Sequence, residues 1–69
     1  MLHDMPNFVF SNLESMFVER VRRGLYLIDV RNATGISSVT LDRYEKRQSR
    51  PGKKNYNKLA ELFGWRLWK

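Results

Sequence analysis

The residues best suited to chemistry in this 69-residue chain are cations. Between positions 43 and 58 stand Arg43, Lys46, Arg47, Arg50, Lys53, Lys54 and Lys58 against one acid, Glu45, a local excess of +6 that equals the net charge of the whole chain. The first nineteen residues carry Asp4, Glu14 and Glu19 and no Lys or Arg. A charge run is ordinarily just a solvated face. This one straddles the end of a helical pattern and a break, Arg50-Pro51-Gly52-Lys53-Lys54. Cations gathered there suit a polyanion, because each phosphate neutralised releases condensed counterions. Nucleic acid is the leading ligand class, ahead of acidic lipid or an acidic protein. A membrane-surface peptide needs a basic amphipathic helix with one continuous apolar side, whereas these cations surround a loop.

Other chemistries find little material. There is no cysteine, so no disulfide and no thiolate metal site, and the single histidine, His3, cannot build a cluster. His3, Asp4 and Glu14 share no spacing that sets an acid–base pair on a rigid element. Ser37, Ser38 and Thr40 lack a nearby base and read as helix caps. A domain of this length hides only about 60% of its unfolded surface, which leaves no room for a large substrate pocket. We therefore expect no enzyme, no cofactor, no metal and no small-molecule ligand. No apolar run approaches the roughly 18 residues of a membrane span, and no basic-then-apolar leader opens the chain. A cytoplasmic protein is expected.

The elements that must position the cations are short helices. Hydrophobic content of 42% supports a packed core, and the six Gly and Pro residues fall at spaced positions that punctuate it. Ser11-Asn12-Leu13-Glu14 has the form of a capping box and predicts a first helix from Asn12. Its apolar stripe would be Leu13, Met16, Phe17 and Val21, with Gly24 as the stop. Arg20 falls on that stripe and needs an acidic partner or an escape to water. A second helix is predicted over 25–34, with Leu25, Ile28 and Val30 inward. Gly35 turns the chain and Ser37 caps a third helix bearing Leu41, Tyr44 and Glu45 on one side. Glu45, four residues after Leu41, points inward as Arg20 does, so an Arg20–Glu45 ion pair is the economical solution. Asn55 would cap a fourth helix with Tyr56, Leu59, Ala60, Leu62 and Phe63 inward, ended by Gly64.

The segments Gly24-Leu25, Asp29-Val30, Ala33-Thr34-Gly35-Ile36-Ser37, Thr40-Leu41, Arg43-Tyr44-Glu45 and Pro51 resemble the helix-turn-helix domain of Cro and phage-repressor type regulators, the XRE family. The resemblance covers residues 11–64. It implies that the third helix lies in the DNA major groove, with Ser38 and Val39 facing bases first and Asp42 and Arg43 one turn later. Arg43 would fork onto guanine, Val39 touch a thymine methyl, and Asp42 accept from cytosine or orient Arg43. Lys46, Arg47, Arg50, Lys53 and Lys54 would lie along the phosphate backbone, positioning without reading sequence. The family also pairs a helix-one arginine with the helix-three glutamate, matching Arg20 and Glu45. Three residues depart from its pattern. Arg31 stands where a small residue is common and must escape sideways or force the helices apart. Leu27 replaces a phosphate-facing polar residue, and Arg47 replaces a glycine, so the third helix must run on or end in a strained residue.

Phe8-Val9-Phe10 and Trp65-Arg66-Leu67-Trp68 flank this domain as apolar extensions, residues 1–10 and 65–69. Three roles are open to them: packing on the core, pairing as two short strands, or forming the interface of a homodimer on DNA. The expected fold is all-α, a four-helix helix-turn-helix domain with short apolar ends. The expected function is sequence-specific double-stranded DNA binding by a small repressor that occludes a promoter. The rival is a helix-turn-helix scaffold that binds a protein, as an antirepressor or antitoxin-like module, with weak or no DNA binding.

Overall fold

A computed structural model describes residues 5–69; His3 and Asp4 lie outside the described residues. The chain folds into five helices, α1 (Asn7–Glu14), α2 (Met16–Arg22), α3 (Leu27–Thr34), α4 (Ser38–Glu45) and α5 (Lys53–Phe63), with no strand among the described residues. The fold is all-α as expected, with five helices in place of four.

The extra helix arises at the N-terminal end. Helix starts at Asn7 behind Pro6, not at Asn12, so the boundary placed after residue 10 falls inside α1. Ser11 is a mid-helix residue whose carbonyl accepts from the Ser15 amide at 3.2 Å. The capping-box pattern is outweighed by burial of Val9, which packs with Tyr56 and Ala60 and rewards an earlier start. At Ser15 the helix breaks. The Ser15 hydroxyl lies 3.1 Å from the carbonyls of both Ser11 and Asn12, and such back-bonding competes with the backbone ladder and bends a helix. The inward stripe across the break is Val9, Leu13, Met16 and Arg20. Phe17 and Val21, expected inside, are 54% and 51% exposed. They sit one position off the stripe that burial selects.

Two apolar clusters hold the helices. Met16, Val30, Ile36, Leu41, Tyr44, Leu59 and Phe63 form the larger, with Leu25 and Leu27 packed against it. Val9, Tyr56 and Ala60 form the smaller, joined by Phe8, Leu13 and Trp68, and Trp65 touches both. The apolar ends therefore pack on the domain and do not pair as strands. Trp65 stacks on Phe63 and Tyr56 at ring-centre distances of 4.9 and 5.8 Å. The Tyr56 hydroxyl accepts from Asn12 Nδ2 at 2.7 Å and donates to the Arg66 carbonyl at 3.0 Å. Burial raises its pKa above the ordinary phenol value. Arg23 donates to the Phe63 carbonyl at 2.8 Å, answering one of the open acceptors at the end of α5.

Ile28 is half exposed and Val30 fully buried, so α3 turns a different edge inward than its apolar pattern implies. That helix begins two residues later than expected, at Leu27. The Asp29 carboxylate accepts from the Tyr26 amide at 2.7 Å and closes the start that a tyrosine side chain cannot. Gly35 ends α3 in the left-handed conformation, φ 78°, which an L side chain rarely adopts.

Candidate nucleic-acid interface

Helices α3 and α4 are each eight residues long and are joined by Gly35, Ile36 and Ser37. Ile36 is buried and fixes the turn, while its amide donates to Thr34 Oγ1 at 3.2 Å. Ser37 Oγ accepts from the Thr40 amide at 3.2 Å, the cap its sequence predicts. Leu41 and Tyr44 anchor the inner side of α4. Its outer side carries Ser38, Val39, Asp42 and Arg43, at spacings that place them on adjoining edges. Val39 is 64% exposed and Arg43 is exposed, whereas Ser38 and Asp42 are partly covered. Asp42 pairs with Lys46 at 2.9 Å, one turn along, and does not orient Arg43.

The orientation of α4 is secured from behind by the predicted ion pair. Arg20 Nε and Nη2 donate to the two Glu45 carboxylate oxygens at 2.7 and 3.1 Å, and Nη1 donates to the Leu25 carbonyl at 2.8 Å. Both side chains are nearly buried, 12% and 7% exposed. The hydrogen bond to Glu45 raises the Arg20 pKa still further above its usual value. A two-pronged, hydrogen-bonded pair of this kind links α2, the α2–α3 connection and α4 at one point.

Arg31 resolves the crowding foreseen for it by turning outward, where Nη2 donates to Asn32 Oδ1 at 3.3 Å. Leu27 packs against the core. Arg47 takes the left-handed conformation at φ 61°, so α4 ends in a strained residue as its sequence implies. Its amide donates back to the Tyr44 carbonyl at 3.2 Å. Beyond it Arg50 is exposed and Pro51 buried.

The start of α5 departs from expectation. Its cap position is Gly52, and Asn55 lies inside the first turn, where Nδ2 donates to the Tyr44 hydroxyl at 3.2 Å. That bond sets the first turn of α5 against the last turn of α4. Gly52 offers no side-chain acceptor to the first-turn amides, and the turn contains no acid. It contains Lys53 and Lys54, both exposed. Cations at the positive end of a helix are unfavourable by about 0.3–1 kcal/mol each. The same arrangement of open amides and ammonium groups is complementary to a phosphate. Arg43, Lys46, Arg47, Arg50, Lys53 and Lys54 thus lie on the last turn of α4, the joining loop and the first turn of α5.

Some features carried no advance signal. Asn57 exchanges two hydrogen bonds with the backbone of Trp68, donating to its carbonyl and accepting from its amide, both at 2.7 Å. Nothing in local spacing links residues eleven apart across a glycine. Phe8, Trp65 and Trp68 of the ends are consequently engaged within their own domain, while Phe17, Val18 and Val21 on α2 are exposed together with Tyr26, Ile28, Val39 and Leu67. Among the described residues no group of His, Cys, Asp and Glu gathers as metal ligands, and no helix is long and apolar enough to cross a membrane. Comparison of the chain with known proteins matches no family model, no curated protein and no solved structure.

Proposed function

We propose that this chain is a sequence-specific, double-stranded DNA-binding regulator of the helix-turn-helix type, a small Cro-like repressor of phage or mobile-element character that acts by occluding a promoter. In this reading α4 enters the major groove. Ser38, Val39, Asp42 and Arg43 meet base edges, with Arg43 forking onto guanine O6 and N7. Lys46, Arg47, Arg50, Lys53 and Lys54 follow the phosphates. The role is cytoplasmic and non-catalytic, with no cofactor.

The observation that carries the reading is the Asn55–Tyr44 hydrogen bond, which brings a glycine-started, lysine-bearing helix end against the end of a helix with an exposed reading edge. Two lysines at a positive helix end cost stability in the free domain, and an anionic backbone converts that cost into binding. The test is a mobility-shift titration at low salt with Arg43→Ala and with the triple variant Arg50→Ala/Lys53→Ala/Lys54→Ala. The triple variant should weaken binding on all sequences and lower the salt slope by about 0.9 for each phosphate left without its cation. Arg43→Ala should relax preference at one base pair at a cost of about 1–3 kcal/mol. Retention unchanged in both variants would end the DNA reading. Random-site selection then gives the operator and its half-site spacing.

A second reading, a scaffold that docks a protein, has one specific observation behind it. Phe17, Val18 and Val21 are exposed apolar side chains on one short helix, α2. Loss of a partner on Val18→Asp with DNA retention absent throughout would favour it.

A further inference from the structure

We propose that the apolar ends of the chain are positioning elements for the phosphate-contacting loop, with Phe10 ordering Arg50 and Trp68 ordering Lys53. The proposal rests on the DNA reading above and assigns a role to residues that the reading leaves unused.

Two cations of this segment, Arg50 and Lys53, each lie over an aromatic ring from the flanking segments of the chain. Arg50 Cζ is 4.5 Å from the centre of the Phe10 ring, and Lys53 Nζ is 6.0 Å from that of Trp68. The rings are themselves fixed. Phe10 follows buried Val9 in α1 and lines one cleft together with Glu14, Arg47 and Arg50. Trp68 packs edge-on against Tyr56 at 6.2 Å and is clamped through its backbone by Asn57. Neither ring is needed to satisfy a hydrogen bond of the loop, and both are only partly buried.

The physical benefit is preorganisation. A long cationic side chain loses rotamer freedom when it settles on a phosphate, which weakens binding unless the loss has already occurred. A guanidinium over a ring keeps its edge N–H groups free to fork onto phosphate oxygens while its rotation is restricted. The ring face attracts the charge without neutralising it. The Phe10–Arg50 approach is the shorter and has the larger effect, since Lys53 sits near the outer limit of about 6 Å for such attraction.

The experiment uses the full chain and a mixed-sequence DNA duplex at low salt, with Phe10→Leu, Arg50→Ala and the double variant. Leucine retains apolar packing in α1, and thermal melting checks that each variant folds. Phe10→Leu should weaken binding about threefold. In the Arg50→Ala background the same change should have no further effect. The Arg50 Hδ protons of the unliganded wild type should show an upfield ring-current shift that Phe10→Leu removes. Asn57→Ala should weaken binding less, and only while Lys53 is present. Equal losses with and without Arg50, or Arg50 protons at unshifted positions in the wild type, overturn the proposal. A wild type that retains no duplex sinks the DNA reading and the proposal with it. That result is distinct from a binding wild type whose Phe10→Leu variant binds equally well, which overturns the proposal alone.

Discussion

Helices α4 and α5 begin within fifteen residues of one another and resolve the same problem in opposite ways. Each opens after a residue in extended conformation, Ser37 and Gly52, and each leaves first-turn amides to be answered. In α4 the answer is internal: Ser37 accepts at the start, and Glu45 is gripped by Arg20 at the far end. In α5 Gly52 offers nothing and two lysines add to the positive end. One helix start is answered by a side chain of the fold, whereas the other has no side-chain cap, and in the DNA reading proposed above a phosphate would answer it. If that reading holds, stability and binding reside at neighbouring helix ends, and substitutions should separate them.

The sharpest break is at the satisfied helix. Glu45→Ala leaves the Arg20 guanidinium without its carboxylate partner and should cost about 3–5 kcal/mol, a large share of the stability of a domain of this size, as read by urea denaturation. Ser37→Ala removes the cap alone and should cost about 1 kcal/mol, lowering the melting temperature by roughly 4–8 °C. DNA affinity of the Ser37→Ala variant, corrected for the folded fraction, should hardly move.

The converse change is made at α5. No heavy atom lies within 4 Å of the Cβ that a side chain at Gly52 would add, and its φ of −73° suits any residue. Gly52→Asp should therefore supply a cap and a favourable charge, raising stability by a few tenths to about 1 kcal/mol. DNA affinity should fall, and sulfate, which should raise the melting temperature of the wild type, should lose most of that effect. A variant that gained stability and bound DNA as before would erase the contrast between the two helices.

The smallest effect concerns acids answered at the surface. Hydrogen bonding by Arg23, with the charge of Arg22 behind it, holds the Glu19 carboxyl below its ordinary pKa. A carboxyl depressed by folding contributes stability above its unfolded pKa and loses it as the pH falls through the folded value. Acid melting curves of the wild type and Glu19→Gln should therefore differ slightly at neutral pH and converge at low pH.

Sequence was most informative where one residue type meets one backbone demand. Ser37 before a periodic stretch and glycines at positions 35 and 64 could be read directly, because a cap or a left-handed turn admits few alternatives. The Arg20–Glu45 pair was legible for a different reason: two charges on inward positions leave few ways to balance. The failures share a cause as well. The Ser11 capping box and the Asn55 cap are local patterns, and each lost to a tertiary interaction, Val9 against Tyr56 and Asn55 against Tyr44. The Leu13–Val21 stripe contained more apolar residues than one helix edge could bury, and only packing chose Met16 over Phe17. For the candidate interface, the cations were visible as a charge count. Their aromatic supports were invisible, since Phe10 and Trp68 reach the loop from opposite ends of the chain.

The placement of the indoles has an optical consequence. Trp65 and Trp68 are the two tryptophans of the chain, and their surroundings differ in kind. Trp65 is partly buried and stacks on Phe63 and on Tyr56, so its emission should report whether the domain is folded. Trp68 has the Lys53 ammonium 6.0 Å from its ring centre, so its emission colour should shift when that charge moves. The domain thus carries two unlabelled reporters, one for folding and one for the position of the Lys53 charge, which a phosphate bound as proposed would shift.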